Sequence, residues 1–363
     1  MHDRMRTPVR TSLVLCASLL ALAVCAAPKN PLPEDPVSAE RAQWSFETAA
    51  DRLGDLSCPA DQAGLEPIDI HITAEPVSLD ARSDHDNVLP AGATFAGGWH
   101  LTSDNAGFGG LSGIDSWSDN ALLAVSDTGM FVWIGMANGQ PDGTGELAYM
   151  LDQNGAQLSG KADGDAEGLA VKNGVALVSF ERNHRIEAFY LARCSAAARS
   201  TEVATLPSSV NGRDIDENQG AEALSISPSG LLHYGLESFR GSASPLGVVL
   251  DTGYGWLTGE LAGNPSGYSL VGLDEVQLPS GKAMTVTLFR SYDPIRGSRN
   301  IVTWAADGPA IELKRPLLVD NFEGVAGELT APDTLRIWLI SDNNFSDRQR
   351  TLLYAFDVAL PTE

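Results

Sequence analysis

Three glutamates stand in matched surroundings: Glu167 in AEGLA, Glu222 in AEALS and Glu323 in FEGVA. Carboxylates that converge repel one another unless they are protonated or bridged by a cation, and hard oxygen donors of adaptable geometry suit Ca²⁺. Asp127, Glu181, Glu237 and Asp342 each end the second apolar run of their own segment. A calcium site would take Glu167, Glu222, Glu323, Asp127 and Glu237 as ligands, leaving Glu181 or Asp342 as the base that orients water. The competing structural reading is that each glutamate caps turn amides in its own segment. Cations lie among the same motifs: Arg182, His184 and Arg185 follow Glu181, Arg290 ends another run, and Arg296 and Arg299 come after it. Arg182 and Arg290 have the planar donors that hold phosphate, or they neutralise the glutamates.

Several familiar chemistries are absent from the sequence. Gly110-Leu111-Ser112-Gly113-Ile114 is the nearest approach to a Gly-x-Ser-x-Gly elbow and breaks at its last position. There is no phosphate-binding Gly-x-x-x-x-Gly-Lys loop, no His-Glu-x-x-His pair and no dinucleotide fingerprint. Asp214-x-Asp216-x-Asn218 starts like a calcium loop but lacks its glycine and its closing glutamate.

The elements that position these residues are short. After residue 45 no long helical pattern occurs, and β-rich runs alternate with Gly, Asn, Asp and Pro. Ala121–Ser126, Val175–Phe180, Leu231–Leu236, Ala283–Leu288 and Thr334–Ile340 each belong to a segment of one plan: strand, turn, strand, polar residue. The polar ends, Asp127, Glu181, Glu237, Arg290 and Asp342, are spaced by 54, 56, 53 and 52 residues. A period near 50 with several strands per unit is that of propeller blades. Five units are clear, and Ile68–Thr73 with Thr94–Leu101 are read as part of another, so an all-β propeller of six blades is expected. Rotation about the axis would bring the matched glutamates into a ring at the channel mouth.

The 363 residues carry 47 Asp and Glu against 24 Lys and Arg, a net charge of −23, and 43% are apolar. That is enough apolar material for a core, and the sign excludes a broad nucleic-acid or anionic-lipid surface. Arg4, Arg6 and Arg10 precede the apolar run SLVLCASLLALAVCAA, so residues 1–27 read as a secretory signal peptide. Its removal makes the remainder two charges more negative. Leu22-Ala23-Val24-Cys25 is a weak match to a lipid-anchor box, because Val24 is large. Residues 28–45 are rich in Pro and charge and read as a tether, followed by one domain over 46–363. No later run is apolar and long enough to span a membrane. Cys58 and Cys194 remain after cleavage, and whether they pair is left open by the sequence.

In the order and spacing of these motifs the chain resembles the bacterial phytase-like family, described by an "esterase-like activity of phytase". The resemblance runs from about Gly98 to Val358 through LSGI with Ser126-Asp127, AEGLA with SFERN, NQGAEALSISPSG, LFR, DNFEGVAG and ISDNNFSDRQRTLLYAFDV. It implies an exported propeller with phosphoesterase or esterase activity assisted by Ca²⁺. The family's acidic positions fall on Asp127, Glu167, Glu181, Glu222, Glu237, Glu323 and Asp342, and its basic ones on Arg182 and Arg290. Two residues depart from the pattern: Ala223 replaces a glycine after Glu222, and Phe289 replaces an acid before Arg290.

The expectation is therefore a periplasmic or secreted, monomeric hydrolase of a small anionic ester. The rival is a non-catalytic propeller that binds calcium or a ligand at the same ring. A sugar-lactonase-like reading rests on analogy of fold alone.

Overall fold

The computed structural model describes residues 42–60, 64–80, 89–210, 212–237, 243–305 and 308–360. The expected signal, with Cys25, and most of the expected tether lie outside them. Before the first blade come helix α1 (Phe46–Ser57) and strands β1 (Ile68–His71), β2 (Thr73–Pro76) and β3 (Ala93–Thr102). Blade one contains β4 (Leu111–Ser118), β5 (Ala121–Ser126), β6 (Met130–Ala137) and β7 (Gln140–Tyr149). A short helix, α2 (Gly160–Asp163), leads into blade two: β8 (Ala166–Lys172), β9 (Val175–Phe180), β10 (Arg185–Phe189), α3 (Leu191–Cys194) and β11 (Thr201–Thr205). A small hairpin, β12 (Ser209–Val210) with β13 (Arg213–Asp214), precedes blade three. That blade is β14 (Ala221–Ile226), β15 (Leu232–Leu236), β16 (Ser244–Val249) and β17 (Gly255–Ala262). Blade four is β18 (Ser269–Gln277), β19 (Ala283–Asp293), β20 (Gly297–Thr303) and β21 (Ala310–Leu313). Blade five begins with β22 (Asn321–Ala331), β23 (Thr334–Asp342) and β24 (Thr351–Ala359).

There are five blades, not six. The inner strands pack side by side in the order β4, β8, β14, β18, β22 and back to β4, which closes the ring. The segments expected to start a sixth blade have no inner strand of their own. Instead β3 pairs antiparallel with β24 and β2 with β3, completing blade five from the other end of the domain. Strand β1 adds to the outer edge of blade one through β7. Each segment thus covers an otherwise open sheet edge, and the β3–β24 pairing fastens the two ends of the ring together.

One apolar core fills each interface between blades. Val125 and Phe131 meet Val178 and Phe180 between blades one and two, and Val302 meets Phe322 between blades four and five. The smallest core is Ala223, Leu270, Leu273 and Phe289, between blades three and four. The two departures from the family pattern are therefore packing residues of a single interface. Helix α1, which the strand-rich reading omitted, lays Phe46, Ala49 and Leu53 on the core of blades two and three. Their spacing is that of one helical face, only three side chains long. Cys58, just after α1, is disulfide-bonded to Cys194 at the end of α3, 136 residues away.

Polar bonds stitch the ring as well. Ser112 Oγ donates to Ala166 O, Ser179 Oγ to Ala221 O, and Asn300 Nδ2 to Phe322 O. Leu270 N donates to Ser244 Oγ, and Gly110 N to Asn343 Oδ1, which closes the circle from blade five to blade one. On the axis the strands nearly touch: a Cβ on Gly113 would lie 2.6 Å from Glu167 O, and one on Gly168 would lie 2.8 Å from Glu222 O. The space left there is only ≈ 10 Å³, so the axis is a plug and any ligand must be met at its end.

Candidate active site

The same irregularity opens every inner strand. Within the first three pairs of each inner ladder one extra residue is bulged out: Ser112 in β4, Glu222 in β14, Val271 in β18 and Glu323 in β22. In β8 the ladder skips both Glu167 and Gly168. A bulge turns a side chain out of the ladder. Here it sets Glu167, Glu222 and Glu323 at equivalent places on the rim of the plug. The rim end of each second strand supplies the neighbouring ring: Asp127, Glu181 and Glu237 directly after the last ladder pair, and Arg290 and Asp342 within it, opposite Ser269 and Asn321. In blades one to three its N–H is fixed by the loop entering the blade: Asp127 N donates to Gly110 O, Glu181 N to Asp165 O, and Glu237 N to Gly220 O.

The rim divides into two charge groups. On blades one and two, carboxylate oxygens of Asp165, Glu167 and Glu181 all lie within 4.8 Å of one another. Lys161 bridges Asp127 at 2.7 Å and Asp165 at 3.0 Å, and Arg182 Nε reaches Asp165 at 3.0 Å. Arg182 adopts a left-handed backbone, φ +59°, with its N–H donated to Glu217 O. On blades three to five, Arg290 is ion-paired with Glu323 and stands 3.8 Å from Glu222 and 3.7 Å from Glu237. Asn321 Nδ2 donates to Glu323, and Gly220 N donates to Glu181 Oε1 at 3.0 Å.

Eight carboxylates here face three cations, and the excess shows in their protonation. Burial, then the charges of Glu181, Glu222 and Asp165, hold Glu167 well above the usual carboxylate range. Burial also pushes Glu181 up to about 7, against the bond from Gly220. Glu222 is raised strongly by burial and by Glu237, although Arg290 opposes the shift. Glu237 is likewise raised by burial, and Asp342 is pushed up to about 6 by burial with Asp127 adding to it. Burial works against the charge of Arg290, but Glu222 and Glu237 more than offset it.

The five expected ligands do not form one cluster. Glu167 lies in the tight group with Glu181, Glu222, Glu237 and Glu323 surround Arg290, and Asp127 is bonded to Lys161. Asp165 and Lys161 were not singled out in the sequence. Asp165 carries a signal all the same, standing two residues before Glu167, so that it lies on the chain entering the same bulge. The arrangement fits a hard divalent cation: Asp127 Oδ1 and Glu222 Oε2 are buried without a hydrogen-bond partner. Carboxylate-rich oxygen sets of this kind hold calcium.

Beside the acids, between blades four and five, opens a cleft of ≈ 1050 Å³ that Arg290, Arg315, Arg348 and Arg350 line together with Glu237 and Glu323. Of the other cations anticipated from sequence, Arg299 bonds Ser291 and lies over Tyr268, and Arg296 is exposed in the β19–β20 turn. Arg185 packs over Phe180 and pairs with Glu187. His184 is buried and its pKa is lowered by that burial.

A family model described as "Phytase-like: Esterase-like activity of phytase" matches residues 106–261. The match spans blades one to three and ends before Arg290, a narrower range than the sequence resemblance. No curated protein matches the chain. Solved structures that resemble it include a protein of unknown function from Dyadobacter fermentans DSM 18053, 11% identical, TM-score 0.34, covering 82% of this chain and 100% of that one. Regucalcin from Agrobacterium tumefaciens, described as a calcium-binding protein, is 11% identical with TM-score 0.34 over 83% of this chain and 96% of its own. A DUF4623 family protein from Bacteroides eggerthii DSM 20697 is 9% identical, TM-score 0.38, over 81% and 88%. Likeness at this level carries no argument about the site.

Proposed function

We propose that this chain, which carries a phytase-like domain, is an exported hydrolase of small phosphate esters acting at the rim of the propeller plug. The observation that carries the reading is the split rim. A tight group of acids, the buried Asp165 and Glu181 with the half-buried Glu167, stands on one side, and an arginine-lined cleft opens on the other. Arg315, Arg348 and Arg350 bind the anionic group by charge-assisted hydrogen bonds, which suits phosphate better than a carboxylic ester. Arg290, at the boundary between cleft and ring, orients the group and stabilises charge that develops on its oxygens. Asp342, beside Asp127 on the same ring, takes the proton of the attacking water. Asp165, Glu167 and Glu181 are the residues that would hold a calcium ion, and Lys161 links Asp127 to the same group through Asp165. When bound, such an ion supplies Lewis acidity toward a phosphoryl oxygen. Export accords with the Cys58–Cys194 disulfide, a bond that persists in oxidising compartments.

A second reading has its own observation. Arg290 already pairs with Glu323 and lies within 4 Å of Glu222 and Glu237, which is what a rim built only to bind calcium and hold its blades together would do. Calorimetric titration of Ca²⁺ into chelator-treated protein, with p-nitrophenyl phosphate and p-nitrophenyl acetate turnover followed alongside, separates the two. Calcium binding that restores phosphatase activity supports the hydrolase. Binding without turnover of either ester leaves the binding propeller, and acetate turnover alone removes phosphate as the substrate group.

A further inference from the structure

A second cleft lies at the opposite end of the strands, between the outer part of blade one and the α3 turn of blade two. It has a volume of ≈ 440 Å³, and its walls include Trp117, Trp133, Asn120, Thr144, Glu146 and Asp69. Asn120 sits in the β4–β5 turn, the end of the blade farthest from the rim acids. Strand register builds the wall: Trp133 on β6 is opposite Glu146 on β7, and Glu146 is opposite Asp69 on β1. An indole and two carboxylates therefore stand in one row on one face of the sheet. Trp117 meets Trp133 edge-on, with centroids 6.0 Å apart and planes at 84°.

Three of these groups, Trp133, Asp69 and Glu146, leave their polar atoms to the cleft or to solvent. Trp133 is only 8% exposed, yet its indole N–H has no acceptor among the described residues. Asp69 and Glu146 are exposed like charges directly opposed across a strand pair, a costly arrangement, and neither has an ion-pair partner among the described residues. The cleft thus offers apolar ring surface, a hydrogen-bond donor and strong acceptors together. An anion would meet the two carboxylates. A purely apolar ligand would strip them of water. A simple organic cation would satisfy the acids but leave the indole N–H and the Asn120 side chain without a role.

We propose that this cleft binds a saccharide. A pyranose has an apolar C–H face that lies on an aromatic ring and a rim of hydroxyls that each donate and accept. The cleft is of the size that encloses small ligands, and it holds one or two sugar units. The site is independent of the rim chemistry, because it uses other residues at the other end of the blades.

Cellobiose, maltose and N,N′-diacetylchitobiose, with choline chloride as the cationic comparison, would be titrated into the chain and followed by tryptophan fluorescence and calorimetry. Saturable binding of at least one disaccharide is expected. Trp117→Ala and Glu146→Gln should each weaken it by about tenfold, as expected for losing a stacking face or a charge-assisted hydrogen bond. Calcium binding and p-nitrophenyl phosphate turnover should not change in Glu146→Gln, an exposed position, and the thermal midpoint should not fall, since the substitution relieves the repulsion with Asp69. Choline binding without saccharide binding overturns the proposal in favour of an ammonium site. Saccharide binding that survives both substitutions, or no saturable response to any of the sugars, overturns it outright.

Discussion

Arg290 occupies in blade four the position that Glu237 holds in blade three, and its guanidinium reaches back to within 3.7 Å of that glutamate. One position of the repeat has changed sign, and the new charge also pairs with Glu323 and approaches Glu222. Removing one partner of a buried charge network leaves the others uncompensated, at about 3–5 kcal/mol. Arg290→Met should therefore lower stability by a few kcal/mol, read as a fall in the thermal midpoint. Acid should restore part of it, because protonation silences the three glutamates. A variant as stable as the parent at pH 8 would show that the ring does not depend on this arginine.

The tight acid group and the arginine-centred group should respond differently to substitution. Glu167→Gln or Asp165→Asn should weaken calcium binding at least about tenfold, the loss of one charged ligand from an oxygen set. Glu323→Gln should leave the calcium isotherm nearly unchanged, since Arg290 already holds that side chain. Equal losses in all three variants would place the ion at the centre of the rim instead.

Much of this was legible in the residues. The five polar ends, Asp127, Glu181, Glu237, Arg290 and Asp342, mark the five blades because each stands where the second strand of its blade reaches the rim. The second strands fall where the alternation of short apolar runs and turn residues puts them. Blade number was misread because Ile68–Thr73 and Thr94–Leu101 have strand composition, and composition carries no information about which edge a strand will cover. Their partners lie far along the chain, at Leu147 and at Tyr354. Convergence of the glutamates was likewise readable from the repeat. Their division between Arg290 and the Asp165 group was not, because it depends on where two long cationic side chains extend. Arg348 and Arg350, in DRQR after the last acidic position, gave no repeat to compare with.

The arginine cleft makes a kinetic prediction. Arg348 and Arg350 are in a cleft of ≈ 1050 Å³ and would hold the ester before and during reaction alike. Losing such uniform binding raises KM and leaves kcat nearly as it was. The double variant Arg348→Ala, Arg350→Ala should raise KM for p-nitrophenyl phosphate about tenfold or more, an effect that salt reduces in the parent. A fall in kcat at unchanged KM would mean that these arginines act on the reacting oxygens and do not anchor the substrate.

Below the rim, two half-buried aspartates, Asp115 and Asp274, stand three residues after the bulge in β4 and β18. Asp115 accepts the N–H of Val171 at 2.6 Å and Asp274 that of Gly327 at 2.7 Å, each tying its inner strand to that of the next blade. Burial raises both, Asp274 to about 6, and the charge of Asp274 adds to the shift at Asp115. An unfolded aspartate titrates near 3.9. Between about pH 4 and pH 6 the folded chain holds a proton that the unfolded chain has released, so stability falls as pH rises through that window. Glu181 and Asp342 act in the same direction, so a variant must isolate this contribution. Asp274→Asn keeps an acceptor for Gly327 and removes the charge. It should flatten the fall between pH 4 and pH 6 by on the order of 2 kcal/mol, measured by denaturant unfolding at each pH. An unchanged slope in the variant would mean that Asp274 titrates as an ordinary aspartate, with the fall arising at the rim.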